Sequence, residues 1–309
     1  EKLTLPTETW REYIQRRQRC LELRHTLARG GIQSINDLIT YNLNIRQFAQ
    51  DILETTEGPE LLRAFWNALR RITILDPTVG SGAFLFAALN ILYPLYEACL
   101  DRMEAFVAEA DQLGQTDRYP DFRQTLRELE QHPNPRYFII KSIIVNNLYG
   151  VDIMDEAVEI CKLRLFLKLA AQLDDPQQIE PLPNIDFNIR AGNTLVGYAR
   201  IEDIDRLWQQ VEDPQQHQSG RLGLERDHEK LKELVREYAH MLQMFRDQQL
   251  DKPTPRRITK ADLERARAQV QPDLDKDLWR LYRTAGKLKE GITLAQFQRT
   301  HKPFHWFLE

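Results

Sequence analysis

Ile72-Thr73-Ile74-Leu75-Asp76-Pro77-Thr78-Val79-Gly80-Ser81-Gly82-Ala83-Phe84-Leu85 is the stretch on which the fold of this chain turns. The β-branched apolar run from Ile72 to Leu75 predicts a strand buried on both faces in a parallel sheet. A glycine turn follows at once, and then an apolar helical stretch from Gly82 to about Ala110. Gly80 and Gly82 allow close backbone approach to a ligand. Their turn falls at the carboxyl edge of a strand, where open α/β sheets bind ligands. Gly-Lys-Ser/Thr is absent, which disfavours a triphosphate loop. Leu85 stands where a dinucleotide fingerprint needs its third small residue, which disfavours that ligand as well.

Two segments share the texture of the first strand: Leu148-Tyr149-Gly150-Val151, ending at Asp152, and Phe187-Asn188-Ile189-Arg190, ending near Gly192. A helical pattern from Ala157 to Leu173 separates them, with Val158, Cys161, Leu165 and Leu169 on one face. Strand, helix, strand, helix, strand predicts an α/β chain with a Rossmann-like, doubly wound sheet. Outward from this core, residues 1–70 read as a helical N-terminal part. Gly30-Gly31, Ser34 and Gly58-Pro59 punctuate it. Residues 71–199 form the α/β core, with a helical insertion near 100–145 that includes the polar stretch Asp111 to Pro135. Residues 200–309 read as a charged helical insertion or appendage with a stripe at Leu231, Leu234, Val235, Tyr238, Met241, Leu242 and Phe245.

The strand tips carry the candidate chemistry. An acid at the second tip accepts hydrogen bonds from ribose hydroxyls, and an apolar neighbour lies on an adenine face, so Asp152 and Ile153 suit an adenosine. Taken alone, Asp152 reads as a cap of the helix starting near Asp155. Asn193, at the third tip in Ala191-Gly192-Asn193-Thr194-Leu195, suits the adenine edge, and taken alone is a turn residue.

Together the glycine turn, Leu-Tyr-Gly-Val-Asp-Ile and Leu-Pro-Asn-Ile-Asp-Phe-Asn-Ile-Arg-Ala-Gly-Asn-Thr-Leu-Val-Gly resemble the S-adenosylmethionine site of DNA adenine-N6 methyltransferases. The likeness is to the methylase region of bacterial type IIG restriction-modification enzymes and related phage-defence methylases. The resemblance spans about residues 72–198. It implies S-adenosyl-L-methionine as cofactor, with Asp76, Gly80 and Gly82 around its methionine part, Asp152 on ribose, and Ile153 with Asn193 on adenine. Pro77 and Phe84 belong to the same cofactor motif, and Tyr41 with Asn42 are assigned to the segment that precedes it in the family. The implied partner is double-stranded DNA.

One family element is missing. The Asn/Asp-Pro-Pro-Tyr/Phe loop that receives a flipped adenine occurs nowhere in the 309 residues. The nearest string, Asn134-Pro135-Arg136-Tyr137, lies between the first two strands and reads as a loop leading into a helix. No catalytic residue is assigned, and the chain alone is expected to be inactive. Opening on Glu1 and closing on the aromatic run Phe304 to Glu309, it reads as a fragment that stops before the catalytic loop. Other methyltransferases acting on RNA, protein or small molecules stay open as alternatives, as does a DNA- or partner-binding fragment without activity.

Composition limits the remaining classes. With 42 Lys+Arg against 46 Asp+Glu the net charge is −4, which excludes a wholly basic nucleic-acid binder. The charge divides unevenly: residues 1–199 hold 21 basic and 27 acidic groups, residues 200–309 hold 21 and 19. Lys252, Arg256, Arg257 and Lys260 form the densest basic segment and are candidates for DNA-phosphate contacts. Cys20, Cys99 and Cys161 show neither disulfide nor zinc spacing. His301 and His305 lack an evident acid or Cys partner and read as aromatic-packed or exposed. The five tryptophans, Trp10, Trp66, Trp208, Trp279 and Trp306, read as core. No signal-peptide core opens the chain and no membrane span is evident, so a cytoplasmic location is expected. Oligomeric state is not legible.

Overall fold

The computed structural model describes residues 7–41, 43–132, 134–173, 182–204, 206, 221–250 and 252–308, with side chains from residue 229 onward in the helix that begins at Arg221. Asn42 and Trp208 lie outside the described residues. The chain divides into two compact units, Glu1–Thr56 and Glu57–Glu309.

The first unit holds α1 (Trp10–Ala28), α2 (Ile35–Thr40) and α3 (Ile45–Thr55). Thr9 with Glu12, and Ser34 with Asp37, form capping boxes that satisfy the first amides of α1 and α2. Helix α1 buries none of its residues. Trp10 is therefore not a core residue as expected; it is 69% exposed and stacks on Tyr13 one turn along.

The second unit begins with α4 (Pro59–Arg71), which the sequence pattern groups with the N-terminal helices. Its buried stripe of Leu62, Trp66 and Leu69 decides otherwise. Trp66 packs edge-on against Tyr96 of α5 (Ala83–Gln112), and Arg63 binds Asp121 of α6 (Pro120–Glu130) at 2.6 Å. Helix α5 is long and apolar enough to cross a membrane by composition, yet twelve of its residues are buried, and it packs on α4, α6, α7 (Pro135–Asn146) and the sheet. Asn134 caps α7 by accepting the Arg136 amide, as the loop-into-helix reading requires.

Three parallel strands, β1 (Ile74–Asp76), β2 (Leu148–Asp152) and β3 (Ile189–Ala191), lie side by side in the order β1-β2-β3. Ile74 pairs with Leu148, Asp76 with Gly150, and Asp152 with Ala191, so β2 and β3 end level and β1 ends two residues short of them. Helices α5 and α8 (Asp155–Ala170) make the crossovers and pack on the sheet. Two boundaries differ from expectation. Strand β1 starts two residues later than predicted and is not buried on both faces, Leu75 being 44% exposed at the edge of the described sheet. Strand β3 starts at Ile189 because Asp186 to Asn188 form a turn, in which the Asn188 side chain donates to the Val145 and Leu148 carbonyls at 3.1 Å.

Asn147 is fully buried and pins β1 to its surroundings. Its amide donates to the Leu69 and Ile72 carbonyls at 2.8 and 2.7 Å and accepts from Tyr96 at 2.9 Å, so no buried polar atom of this side chain is stranded.

After β3 come α9 (Arg221–Gln249), α10 (Lys260–Thr284), α11 (Leu294–His301) and a 3-10 turn (Trp306–Leu308). These helices share one apolar cluster with the sheet region: Phe187 and Tyr198 pack with Leu231, Tyr238, Leu263, Leu274 and Phe297. The expected stripe on α9 is buried at Leu231, Val235, Tyr238, Met241, Leu242 and Phe245. The C-terminal helices are thus continuous with the core, not hung from it.

Candidate cofactor site at the strand tips

The glycine turn is built by its own backbone and by β2. Val79 donates its amide to the Val151 carbonyl at 2.8 Å and buries its side chain on the strand. Gly150 makes room for it, since a Cβ there would come within 2.6 Å of Val79 Cγ2. Gly82 takes φ +85 as the N-cap of α5, where a Cβ would also meet Cys161 Sγ at 2.7 Å. Gly80, at φ +49, faces open space on its Cβ side. Two small residues thus serve different ends: Gly82 allows helix-on-helix packing, and Gly80 leaves a cradle. Burial pushes the Cys161 thiol up to about 11 and the Cys99 thiol to about 12, so both stay protonated packing groups.

Asp152 closes the turn from the second tip. Its Oδ2 accepts the Gly80 amide at 2.8 Å and its Oδ1 accepts the Met154 amide at 2.9 Å. Each oxygen keeps a lone pair for a further donor, as a ribose diol would require. Asp76 accepts the Thr78 amide at 3.1 Å, shaping the Asp-Pro turn. Ile153, 50% exposed, presents apolar surface beside the acid. Asn193 is half-buried at the third tip, and its Oδ1 accepts the Leu195 amide at 3.1 Å, which leaves the amide NH2 to read a ligand edge.

Asp76, Gly80, Gly82, Asp152, Ile153 and Asn193 are therefore brought to one edge of the sheet. An open cradle, a half-buried acid with available lone pairs and exposed apolar surface fit a nucleoside bearing a charged amino-acid tail. Pro77 is exposed in the turn. Phe84 is placed elsewhere: it lines an apolar cavity of about 610 Å³ with Phe65, Ile72, Ile74 and Ile91. Tyr41 is the C-cap of α2 in the first unit.

Three partners of the site carry no recognisable motif. Arg164 of α8 donates to the Ser81 hydroxyl at 2.9 Å and to its carbonyl, steadying the glycine turn. Segment 302–306 runs parallel to 193–198 as an extended strap: the amides of Asn193, Phe304 and Trp306 donate to the Lys302, Val196 and Tyr198 carbonyls at 2.8, 2.7 and 3.0 Å. Gly192 and Gly197 admit the strap, a Cβ at either colliding with Phe304. The third is the pairing of His305 with Asp275, contrary to the expectation that this histidine lacks an acid partner. Both are buried, with His305 Nε2 3.0 Å from Asp275 Oδ1. Because His305 Nδ1 accepts the Tyr198 amide at 3.3 Å, the proton sits on Nε2 and is donated to Asp275. Gln298 donates to the other Asp275 oxygen at 2.8 Å. Among the described residues no group of three His, Cys, Asp or Glu could hold a metal ion.

The basic segment also departs from a row of unengaged cations. Lys252 is paired with Asp247 at 2.8 Å, and Lys260 is bound to Asp186, which Lys162 also holds. Arg256 and Arg257 are exposed and line a cleft of about 440 Å³ between α9 and α10, with Arg265 beside them.

The parallel sheet gathers a glycine turn, an acid and an asparagine at its tips, and sequence comparison finds similarity to methylases of restriction-modification systems. Residues 51–195 match the family described as MmeI, DNA-methyltransferase domain, and residues 146–277 match the Eco57I restriction-modification methylase family. A putative type II restriction enzyme and methyltransferase of Methanocaldococcus jannaschii is 36% identical over 175 residues, covering 53% of this chain. The match spans 12% of that relative's length. No solved structure gives a significant match. The resemblance expected from the three motifs is borne out, and methyltransferases of such families generally use S-adenosylmethionine.

Proposed function

We propose that this chain forms the S-adenosylmethionine-binding part of a DNA adenine-N6 methyltransferase in a restriction-modification system, on one half of a doubly wound, Rossmann-like sheet. The observation that carries the reading is the Asp152 carboxylate on the Gly80 amide, which joins the acid tip and the glycine cradle into one surface. When bound, the cofactor supplies a methyl group on a sulfonium. Asp76 and the backbone around Gly80 hold the charged methionine end, Asp152 accepts from the ribose hydroxyls, and Ile153 with Asn193 receive the adenine. Double-stranded DNA is the partner we assign, with Arg256 and Arg257 as its phosphate contacts in this region. The 309 residues contain no Asn/Asp-Pro-Pro-Tyr/Phe string, so we assign them cofactor binding without methyl transfer.

The test has two parts. Calorimetric titration of the chain with S-adenosylmethionine is expected to show saturable binding. Incubation with labelled cofactor and mixed-sequence duplex DNA is expected to leave the DNA unlabelled, while a polypeptide joining this chain to an Asn-Pro-Pro-Tyr loop labels adenine. Absence of binding overturns the cofactor reading. Label transferred by the 309 residues overturns the inactivity and makes Asn134 to Tyr137 the first suspect. Label in cytosine, RNA or protein overturns the target class.

A further inference from the structure

We infer that Lys302 is a positioning residue for the adenosine end of the site, an assignment that rests on the cofactor reading above. Three hydrogen bonds converge on this one residue. Its Nζ donates to the Ile153 carbonyl at 2.9 Å and to Asp155 Oδ2 at 2.6 Å, while its own carbonyl accepts the Asn193 amide at 2.8 Å. Ile153 and Asn193 are the two residues assigned to adenine, and they stand on different strand tips. Lys302 is the bridge between them: side chain on the second tip, backbone on the third.

The backbone at this position sharpens the argument. Lys302 is the C-cap of α11 in the left-handed region, φ +43 and ψ 61, a place that glycine or asparagine fills at lower cost. A side chain carried there is held by the groups around it, and such outliers gather at ligand-binding positions. Stability of the ion pair is a poor explanation for the choice, because Asp155 is 68% exposed and exposed pairs contribute little. What the lysine adds that glycine would not is a fixed distance between Ile153 and Asn193, the width of the slot an adenine enters. The strap behind it is firmly seated: Pro303 bridges Asn193, and Phe304 fills the space left by Gly192 and Gly197.

The experiment is calorimetric titration of the native chain and of Lys302→Met, Lys302→Gly and Lys302→Arg with S-adenosylmethionine and separately with adenosine, alongside thermal melts. Lys302→Met and Lys302→Gly are expected to raise Kd for both ligands about tenfold, the size of one hydrogen bond. Lys302→Arg, which keeps a cation with several donors, stays within about threefold of native on the same scale. Lys302→Gly relieves the left-handed backbone, so its Tm is expected to be no lower than native while its affinity falls. A role confined to stability would move Tm and affinity down together, and that result overturns the assignment. Native affinity in Lys302→Met, or weakened binding of S-adenosylmethionine with unchanged binding of adenosine, also overturns it, leaving the cofactor reading intact. Failure of the native chain to bind either ligand overturns the cofactor reading, and this one with it.

Discussion

The Asp152 carboxylate accepts the Gly80 amide across 72 residues of sequence, at 2.8 Å. The same side chain that is assigned to the ribose therefore shapes the turn assigned to the methionine end. Removing it acts on both. Asp152→Ala is expected to weaken S-adenosylmethionine binding by about 1–3 kcal/mol, the cost of leaving donors unpaired in a partly buried site. Asp152→Asn, which keeps an acceptor for Gly80, is expected to lose less. Calorimetry on both variants checks this, and equal native-like affinities would remove Asp152 from the site.

Gly150 and Val79 form a second coupled pair. A Cβ at residue 150 would sit 2.6 Å from Val79 Cγ2 with Val79 already buried against β2. Gly150→Ala is expected to cost about 1–3 kcal/mol through overpacking. Val79→Ala in the same molecule makes room for the added methyl, so the double variant should be more stable than Gly150→Ala alone. Urea denaturation of the two single variants and the double one gives the coupling energy.

Stability should fall in acid through Asp186. Partial burial raises its pKa, but hydrogen bonds and charge from Lys162 and Lys260 outweigh that and hold the carboxyl below its ordinary value of 3.8. A depressed folded pKa contributes stability that is present above 3.8 and is lost as pH falls through the lower folded value. The group is about one-third exposed, so the contribution is on the order of 1 kcal/mol or less. Asp186→Asn is expected to melt below native at pH 7, with the gap closing under strongly acidic conditions. A gap that is constant with pH would disprove the linkage.

DNA binding should depend less on the lysines that acids already hold than on the exposed arginines, and so should not follow the count of basic residues. Arg256 and Arg257 are exposed, whereas Lys252 and Lys260 are engaged by Asp247 and Asp186. Reversing either arginine to glutamate is expected to weaken binding to mixed-sequence duplex and to lower the salt slope by about 1 for each phosphate left without its cation. Lys252→Ala and Lys260→Ala should change the slope less. Fluorescence anisotropy at several salt concentrations checks this, and equal effects at all four positions would count against the assignment.

Much of the site is legible in the sequence. The three strand textures, the turn at Gly80 and Gly82, and the acid at Asp152 are written in runs of a few residues, because strand propensity, positive φ and helix capping are decided by near neighbours. The capping residues Thr9, Ser34, Thr259 and Thr293 belong to the same short-range class. What these patterns specified was which residues face the sheet edge and in what order along the chain.

Only the tertiary structure decided who meets whom at that edge. Tyr198 and His305 are 107 residues apart, and nothing local predicts that one amide finds the other's ring nitrogen, or that Asp275 completes the arrangement. Lys302 reaches Ile153 across 149 residues, so its link between two strand tips has no sequence period to reveal it. Trp10 fails as an expected core residue for the same cause. Apolar composition says that a side chain is better covered than exposed, but which surface covers it depends on elements placed by the whole fold. Sequence by itself determined the parallel strands, their order along the chain and which residues stand at their tips; packing between distant segments determined the strap, the buried His305–Asp275 pair and the pairing of Lys252 and Lys260 with acids beside the exposed Arg256 and Arg257.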